Sequence, residues 1–334
     1  MPENLKPKTR TPKSKIIWLS LAALIVFTYF FGLTIPLLGP DEPRYAQIAR
    51  EMFLRGDWIT PKLGGFDWFE KPALLYWLEI VSYKLFGINE FAARFGSAVF
   101  GLGTMACLWI LGRSLATENT ENTEKTIENE IIKSASVNSV NSVNSVAENN
   151  FANRLAVIAA SSIGLLAFSR AASFDIILTF PITAALVSFF IFDRSNKKSF
   201  TTYHLPLTTF YLFIGIALIA KGLVGIVFPA AIVAFYYLLS WRLPSKTFLL
   251  SLIWGTILSL AVAAIWYVPM YQANGWKFID EFIIQHHFQR FTSDKYQHHQ
   301  PFWFFFVVLP LMTLPWLPFF LISIWDFFKI QSSK

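Results

Sequence analysis

The stretch "IIWLSLAALIVFTYFFGLTIPLLGPDEPRYAQIAREMFLR" (Ile16–Arg55) joins an uncharged apolar run to a highly charged segment. The apolar part, Ile16–Leu38, has about 23 residues, enough for a helix to cross the hydrocarbon core of a bilayer. Of the 334 residues in the chain, 54% are hydrophobic and 15% are charged, whereas an ordinary soluble domain has about 25% charged residues. The sequence therefore predicts an integral membrane protein, with two adjacent carboxylates, Asp41 and Glu42, just after its first span.

Net charge and cysteine content narrow the functional classes. The net charge is +7, but much of it lies in short segments beside apolar runs, which favours membrane orientation over nucleic-acid binding. Cys107 is the one cysteine, so the chain can form neither an internal disulfide nor a cysteine-based metal site. The basic N-terminus, residues 1–15, precedes a long apolar run without a small-residue cleavage site, and we predict a retained first span rather than a signal peptide.

Eight apolar runs are long enough to cross a bilayer when helix tilt is allowed for. A ninth candidate, Pro72–Gly87, is shorter and carries Glu79 and Lys84, so we predict a helix that lies in the interface or re-enters the membrane. The predicted fold is an all-α polytopic membrane protein with about eight transmembrane helices. The runs fill a transmembrane domain at 16–326 and lie at roughly 16–38, 92–116, 152–171, 176–193, 205–220, 222–240, 247–271 and 301–326.

Basic residues predict the orientation of these spans. With residues 1–15 in the cytoplasm, eight spans leave the short lysine- and arginine-bearing loops and the tail 327–334 inside, as the positive-inside rule requires. A ninth span at 72–87 would reverse every later loop. The inside segment 117–151 is a low-complexity insertion, and we predict that it is disordered. A large helical first loop, 39–91, and a later loop, 272–300, are then predicted to face outward.

The predicted outer face collects ionisable residues from four separate loops. Each has a simpler explanation, because an acid here could cap a helix, Lys221 could extend to the interface and Arg290 could bind lipid headgroups. Ionised groups beside apolar runs are costly unless they are paired or line a wet cavity, so their shared side of the membrane favours a site. The set comprises Asp41, Glu42, Arg44, Glu70, Lys71, Asp175, Lys221, His286, His287 and Arg290.

The first loop is predicted to begin with an amphipathic helix. After Asp41, apolar residues recur at helical spacing from Tyr45 to Phe53, and Gly56 follows Arg55 as a helix stop. Asp41 would then be the N-cap of this helix, which is compatible with a second, catalytic role.

Carboxylates and cations in one cavity at the lipid surface suit a lipid-linked phosphate substrate. A carboxylate can accept the proton of an attacking hydroxyl or amine, and fixed cations stabilise a phosphate leaving group. The residues alone thus favour an enzyme acting on a phospholipid-like donor. Two alternatives stay open: a transporter, which predicts charges near the bilayer midplane and paired broken helices, and an inactive fragment or accessory subunit.

Several motifs resemble the polyprenyl-phosphate-sugar-dependent glycosyltransferase superfamily, which includes the protein O-mannosyltransferases and the lipid A aminoarabinose transferases. They are "DEPRYA" and "FEKP" within Gly39–Ala98, and then "SFDIILTF", "AKGLVGIVFPA" and "HHFQRF". The resemblance covers most of residues 15–326. It implies a type C glycosyltransferase fold in a multi-pass cell membrane protein. Its activity would be transfer of a sugar from a polyprenyl-phosphate carrier to a lipid, glycan or protein acceptor on the outer, periplasmic face.

The resemblance also implies a role for individual residues. Asp41 would be the catalytic base, and Lys71 and Arg290 would hold the phosphate of the donor. Glu70 and His287 match a divalent metal site of the aminoarabinose branch, and no other cofactor is implied. The remaining substrate-binding candidates are Glu42, Arg44, Asp175 and Lys221. Since members of the superfamily usually continue well past this length, we expect a chain truncated at the C-terminus or a short variant.

Overall fold

The apolar runs form helices in the computed structural model, which describes residues 12–130, 150–194, 200–289 and 301–332. The sheet content of these residues is one antiparallel hairpin, in which Lys62 pairs with Asp67. In chain order the elements are α1 (Pro12–Phe30), α2 (Asp41–Arg55), β1 (Lys62–Leu63), β2 (Phe66–Asp67), α3 (Leu74–Phe86), α4 (Glu90–Glu130), α5 (Asn150–Ser161), α6 (Ile163–Ser169), α7 (Phe174–Arg194), α8 (Phe200–Lys221), α9 (Val224–Leu239), α10 (Lys246–Phe278), a π-helical segment (Ile279–Gln289), α11 (Phe304–Met312) and α12 (Leu317–Ser332).

All eight predicted spans coincide with helices, but their number stays a prediction. Among the described residues, four helices are long and apolar enough to cross a membrane, and the number is six if each of two bent helix pairs forms one span. Two further apolar helices, at Lys15–Phe30 and Val224–Leu239, are shorter. The all-α fold of a membrane protein is confirmed.

Three predicted spans differ from the structure in their shape, and one of them, 152–171, forms the bent pair α5–α6. The first helix ends at Phe30 rather than Leu38, because Gly32 adopts a left-handed conformation (φ 72°) and Pro36 has no amide hydrogen. The run at 301–326 forms two helices, α11 and α12, bent by 111°. Pro315 lies in the connection between them, where it cannot donate a helical hydrogen bond.

The two bent helix pairs meet at their breaks. The pair α5–α6 is bent by 65° at Ser162, and the Ile163 amide donates a hydrogen bond of 2.8 Å to the carbonyl of Leu314, between α11 and α12. The Trp316 indole donates to the Ser161 hydroxyl at 2.9 Å. Each break thus satisfies backbone groups that a continuous helix would have satisfied internally, as an apolar environment requires.

The amphipathic helix predicted after Gly39 is confirmed as α2. Its apolar face, which includes Tyr45, Ile48 and Met52, packs in a core with α3, α7 and α8. Gly56 ends it in a left-handed conformation, and its amide bonds back to the carbonyl oxygens of the last turn. The predicted N-cap is wrong by one position, because Pro40 occupies that place and Asp41 is the first helical residue.

The segment predicted as a disordered insertion, 117–151, is only partly described. Its first residues continue α4 as far as Glu130, which differs from the prediction. The sequence "ENTENTEKTIENE" is rich in glutamate, a residue that favours helix. Residues 131–149 lie outside the described part of the chain.

Candidate active site

A cavity of about 990 Å³ opens between the first loop and the ends of α7 and α8. Its wall comes from the first turn of α2, the segment 67–72, the end of α6 with the loop and first turn that lead into α7, the end of α8 with the start of α9, and the π-helical segment. Among the predicted site residues, the cavity brings together Asp41, Glu42, Arg44, Glu70, Lys71, Asp175, Lys221 and His286. The sequence analysis named neither Asp67 nor Glu281 as a site residue, yet both line this cavity.

One wall of the cavity carries a row of alternating charges. The Arg44 guanidinium forms an ion pair with Asp41, three residues earlier on α2, and lies 3.9 Å from the Glu70 carboxylate. Glu70 in turn contacts the Lys71 ammonium at 3.1 Å. Burial alone would raise the pKa of Glu70, but Lys71 and Arg44 outweigh it and lower the pKa below its usual value. The Glu70 carboxylate is therefore ionised at neutral pH.

A second ion pair lines the same cavity. The Lys221 ammonium at the end of α8 contacts the Asp175 carboxylate at the start of α7. Asp175 was a candidate helix cap, but Ser173 takes that role, since its hydroxyl accepts the amide hydrogen of Asp175 at 3.1 Å. Phe174 packs edge-on against Tyr45 and Tyr76, which ties the start of α7 to α2 and α3.

Exposure separates the carboxylates that a substrate can reach from those that it cannot. The side chains of Asp41 and Asp175 are 60% and 51% exposed, whereas Glu70 is 20% exposed and Glu42 only 8%. Glu42 touches the cavity but points into the core behind it. Asp41 and Asp175 are therefore the two cavity acids best placed to contact a bound molecule.

Glu42 is held in the core by Arg94, which sequence reasoning missed. The Arg94 guanidinium contacts the two Glu42 oxygens at 3.1 and 2.7 Å, and both side chains are buried. Arg94 lies near the start of the apolar run predicted at 92–116. An arginine inside such a run is itself a signal of a paired or functional charge, so the sequence did contain a clue.

The predicted metal site is only partly described. Glu70 contacts two cationic side chains, Arg44 and Lys71, and His286 is near enough to contribute to its lowered pKa. Across residues 12–130, 150–194, 200–289 and 301–332, no three His, Cys, Asp or Glu side chains lie close enough together to hold a metal. The side chain of His287 and the whole of Arg290 lie outside the described residues, so their predicted roles stay predictions. Among the described residues, Glu70 therefore lacks the set of neighbouring ligands that a metal ion needs.

Comparisons with known proteins agree on one superfamily. Residues 17–120 match the family model of dolichyl-phosphate-mannose-protein mannosyltransferase. The undecaprenyl phosphate-alpha-4-amino-4-deoxy-L-arabinose arabinosyl transferase 2 of Proteus mirabilis (strain HI4320) is 29% identical over 310 residues, covering 91% of this chain and 49% of that protein. Transferase 1 of Sodalis glossinidius (strain morsitans) is 30% identical over 316 residues, covering 90% of this chain and 48% of that protein.

Solved structures support the same fold. The crystal structure of ArnT from Cupriavidus metallidurans bound to undecaprenyl phosphate matches with a TM-score of 0.72 and 22% identity, covering 95% of this chain and 51% of that one. The apo form matches with a TM-score of 0.69 and 21% identity, covering 92% and 49%. The chain thus spans about half the length of the relatives that it matches. Together these matches confirm the type C glycosyltransferase-like fold and the resemblance to the polyprenyl-phosphate-sugar-dependent glycosyltransferase superfamily.

Proposed function

We propose that this protein is a membrane glycosyltransferase that moves a sugar from a polyprenyl-phosphate carrier to a hydroxyl or amine of an acceptor. The observation that carries the proposal is the pairing of reachable carboxylates with cations in a single cavity, Asp41 with Arg44 and Asp175 with Lys221. Relatives named for transfer of aminoarabinose from undecaprenyl phosphate support the same reaction class.

The transfer requires one proton acceptor and stabilisation of one leaving group. As the acceptor oxygen or nitrogen bonds to the anomeric carbon, its proton passes to the Asp41 carboxylate, the more exposed acid. The bond between the anomeric carbon and the phosphate oxygen breaks, and the carrier leaves as a phosphate monoester. Its new negative charge is stabilised by the cations of the cavity, Lys71 and Lys221 among the described residues.

The existing ion pairs set the cost of binding this phosphate. Lys221 already contacts Asp175, and Lys71 already contacts Glu70. A phosphate must therefore share or replace a carboxylate partner of each lysine. Before the donor binds, the carboxylates neutralise the lysines. After it binds, the lysines donate charge-assisted hydrogen bonds to the phosphate.

The positions of the cavity residues support an active site on the outer face. Lys221 ends α8, Asp175 begins α7 and Glu281 follows α10, so these residues lie at the same end of the helical bundle. Arg194 ends α7 and Arg242 precedes α10, at the opposite end. Basic residues at that opposite end are typical of the cytoplasmic side.

A direct test uses the purified protein in detergent with a panel of undecaprenyl-phosphate-linked sugars. The assay measures the release of undecaprenyl phosphate in the presence of a lipid A acceptor. We expect release with at least one donor, and Asp41→Asn should lower turnover by about 100- to 10,000-fold, the usual contribution of a general base. Glu90→Gln is the matched control, because Glu90 is an acid at the start of α4 that does not line the cavity.

Two results would contradict the proposal: no release from any donor by the unaltered protein, or Asp41→Asn turnover equal to that of Glu90→Gln. The transporter alternative gains little from the two helix breaks. Ser162 and the residues from Thr313 to Trp316 carry no ionisable side chain, whereas ion-coupled transporters place ligands at such breaks.

A further inference from the structure

The Glu42 carboxylate joins three segments of the chain at one point behind the cavity. Its oxygens accept hydrogen bonds from the backbone amides of Leu38 at 2.6 Å and Ala172 at 2.7 Å. They also accept two hydrogen bonds from the Arg94 side chain. Leu38 lies in the connection from α1 to α2, and Ala172 lies in the loop between α6 and α7.

Arg94 extends this junction to further backbone groups. Besides Glu42, it donates to the carbonyl oxygens of Leu33 at 2.9 Å, Ile35 at 2.5 Å and Pro36 at 3.0 Å. These carbonyls are free because α1 ends at Phe30. A lysine could not reproduce this pattern, because it has no planar group that donates in several fixed directions.

The segments that meet at Glu42 are those that carry the two reachable acids of the cavity. Asp41 directly precedes Glu42 in the first turn of α2, and Asp175 lies three residues after Ala172. Asp41 and Asp175 belong to elements far apart in the chain, and the edge-on packing of Phe174 against Tyr45 is an apolar contact between those elements. The Glu42 bond to Ala172 is a direct link between them.

We propose that Glu42, with Arg94, is a positioning residue that fixes Asp41 relative to Asp175 and does not itself bind substrate. This inference rests on the proposed transferase function and revises the role of Glu42 implied by the resemblance. Its physical basis is that reacting groups must be held within a fraction of an ångström. A displacement of about 1 Å can lower a rate by about 100-fold.

The chain offers a matched control in Glu51, on the same helix. Glu51 also accepts two backbone amides of a loop, Gly64 at 2.8 Å and Gly65 at 3.2 Å, and it lies 3.8 Å from the Arg55 guanidinium. That loop joins the two strands of the hairpin, and neither glycine lines the cavity. Replacing Glu51 therefore removes the same kinds of contact without disturbing the two acids.

The experiment compares Glu42→Gln and Glu51→Gln in the full chain. One oxygen of the carboxylate becomes an amide donor, so one of the two backbone amides loses its acceptor in each variant. We expect Glu42→Gln to lower kcat by about 10- to 100-fold, since positioning errors of this size act on the chemical step. The KM for the undecaprenyl-phosphate-linked donor should change by less than about 3-fold, because Glu42 does not itself bind substrate. This limit corresponds to under 1 kcal/mol of donor affinity. Glu51→Gln should leave both constants near their original values.

Hydrogen exchange provides a readout that is independent of turnover. In Glu42→Gln, amides in at least one of the peptides covering 33–40 and 170–176 should exchange faster, and in Glu51→Gln only those covering 62–67 should. Equal kcat in the two variants, or a Glu42→Gln effect confined to KM, would overturn the proposal. If the unaltered protein transfers no sugar, the proposed function fails. The positioning role is then decided by exchange alone: unchanged exchange in both 33–40 and 170–176 in Glu42→Gln rejects it.

Discussion

The two sides of the first turn of α2 carry adjacent carboxylates in opposite environments. Asp41 faces the cavity, is 60% exposed and contacts one side chain, Arg44. Glu42 faces the core, is 8% exposed and accepts hydrogen bonds from Arg94 and two backbone amides. Successive residues of a helix point about 100° apart, so one turn can serve both surfaces. Asp41 on the cavity side is accessible for chemistry, and the hydrogen bonds of Glu42 on the core side hold this turn in place.

The largest expected effect is a loss of stability when a residue on the core side is replaced. Arg94→Met leaves the Glu42 charge buried without its partner and frees the carbonyls of the segment 33–36. Removing one partner of a buried pair usually costs about 3–5 kcal/mol. Equilibrium unfolding in mixed detergent micelles should show this loss. A loss under about 1 kcal/mol, the usual range for an exposed pair, would mean that the Glu42–Arg94 pair stabilises the protein no more than a surface pair does.

On the cavity side, replacing Lys221 should have a smaller effect on stability and should instead lower the affinity for the carrier. Lys221→Met removes a cation from the wall of the cavity but no core contact, so stability should change by less than about 0.5 kcal/mol. The affinity for undecaprenyl phosphate should fall by roughly 10- to 100-fold, because a charge-assisted hydrogen bond contributes about 1.5–3 kcal/mol. Binding of the labelled carrier to the purified protein measures it. Equal affinity in Lys221→Met and in the unaltered protein would show that Lys221 does not bind the phosphate.

Glu79 provides a second contrast within the core. Like Glu42 it is buried, but neither of its oxygens has a hydrogen-bond partner among the described residues. Burial, and then the nearby charge of Glu42, raise the pKa of Glu79 well above its usual value. Burial would also raise the pKa of Glu42, but the hydrogen bonds from Arg94, Leu38 and Ala172 lower it. One buried carboxyl is therefore neutral and the other is ionised.

The two groups have opposite effects on the pH dependence of stability. The folded protein binds a proton at Glu79 that the unfolded chain releases above its ordinary pKa, so this group makes stability fall as pH rises. Glu42 has a lowered pKa, and its contribution to stability is lost as pH falls. Glu79→Met should therefore reduce the loss of stability between pH 5 and 9, and near pH 8 it should raise the free energy of unfolding by about 1–3 kcal/mol.

Unfolding measured at several pH values, with Glu42→Gln alongside, tests this difference. Glu42→Gln should instead weaken the dependence of stability on pH below about 4.5, where an ordinary glutamate titrates. Parallel pH profiles for Glu79→Met and the unaltered protein would contradict a neutral, buried Glu79.

Much of the site followed from local sequence. The periodic apolar residues from Tyr45 to Met52 and the final Gly56 placed α2 correctly, because helix periodicity and caps depend on neighbours in the chain. The shared side of Asp41, Lys71, Asp175 and Lys221 predicted one cavity, and the structure brings all four to it. The motifs also predicted the superfamily that the comparisons confirm.

The sequence by itself thus determined the membrane class, the course of α2 and the set of charges at one end of the bundle. Only the tertiary structure decided how those charges divide between cavity and core. The pairing of Glu42 with Arg94 joins residues 52 positions apart, and its bond to Ala172 joins residues 130 positions apart. Such contacts depend on how α2, α4 and the start of α7 pack, and no local pattern specifies that packing. The early end of α1 at Phe30 combines both levels, because Gly32 and Pro36 end the helix locally and Arg94 binds the carbonyls left free.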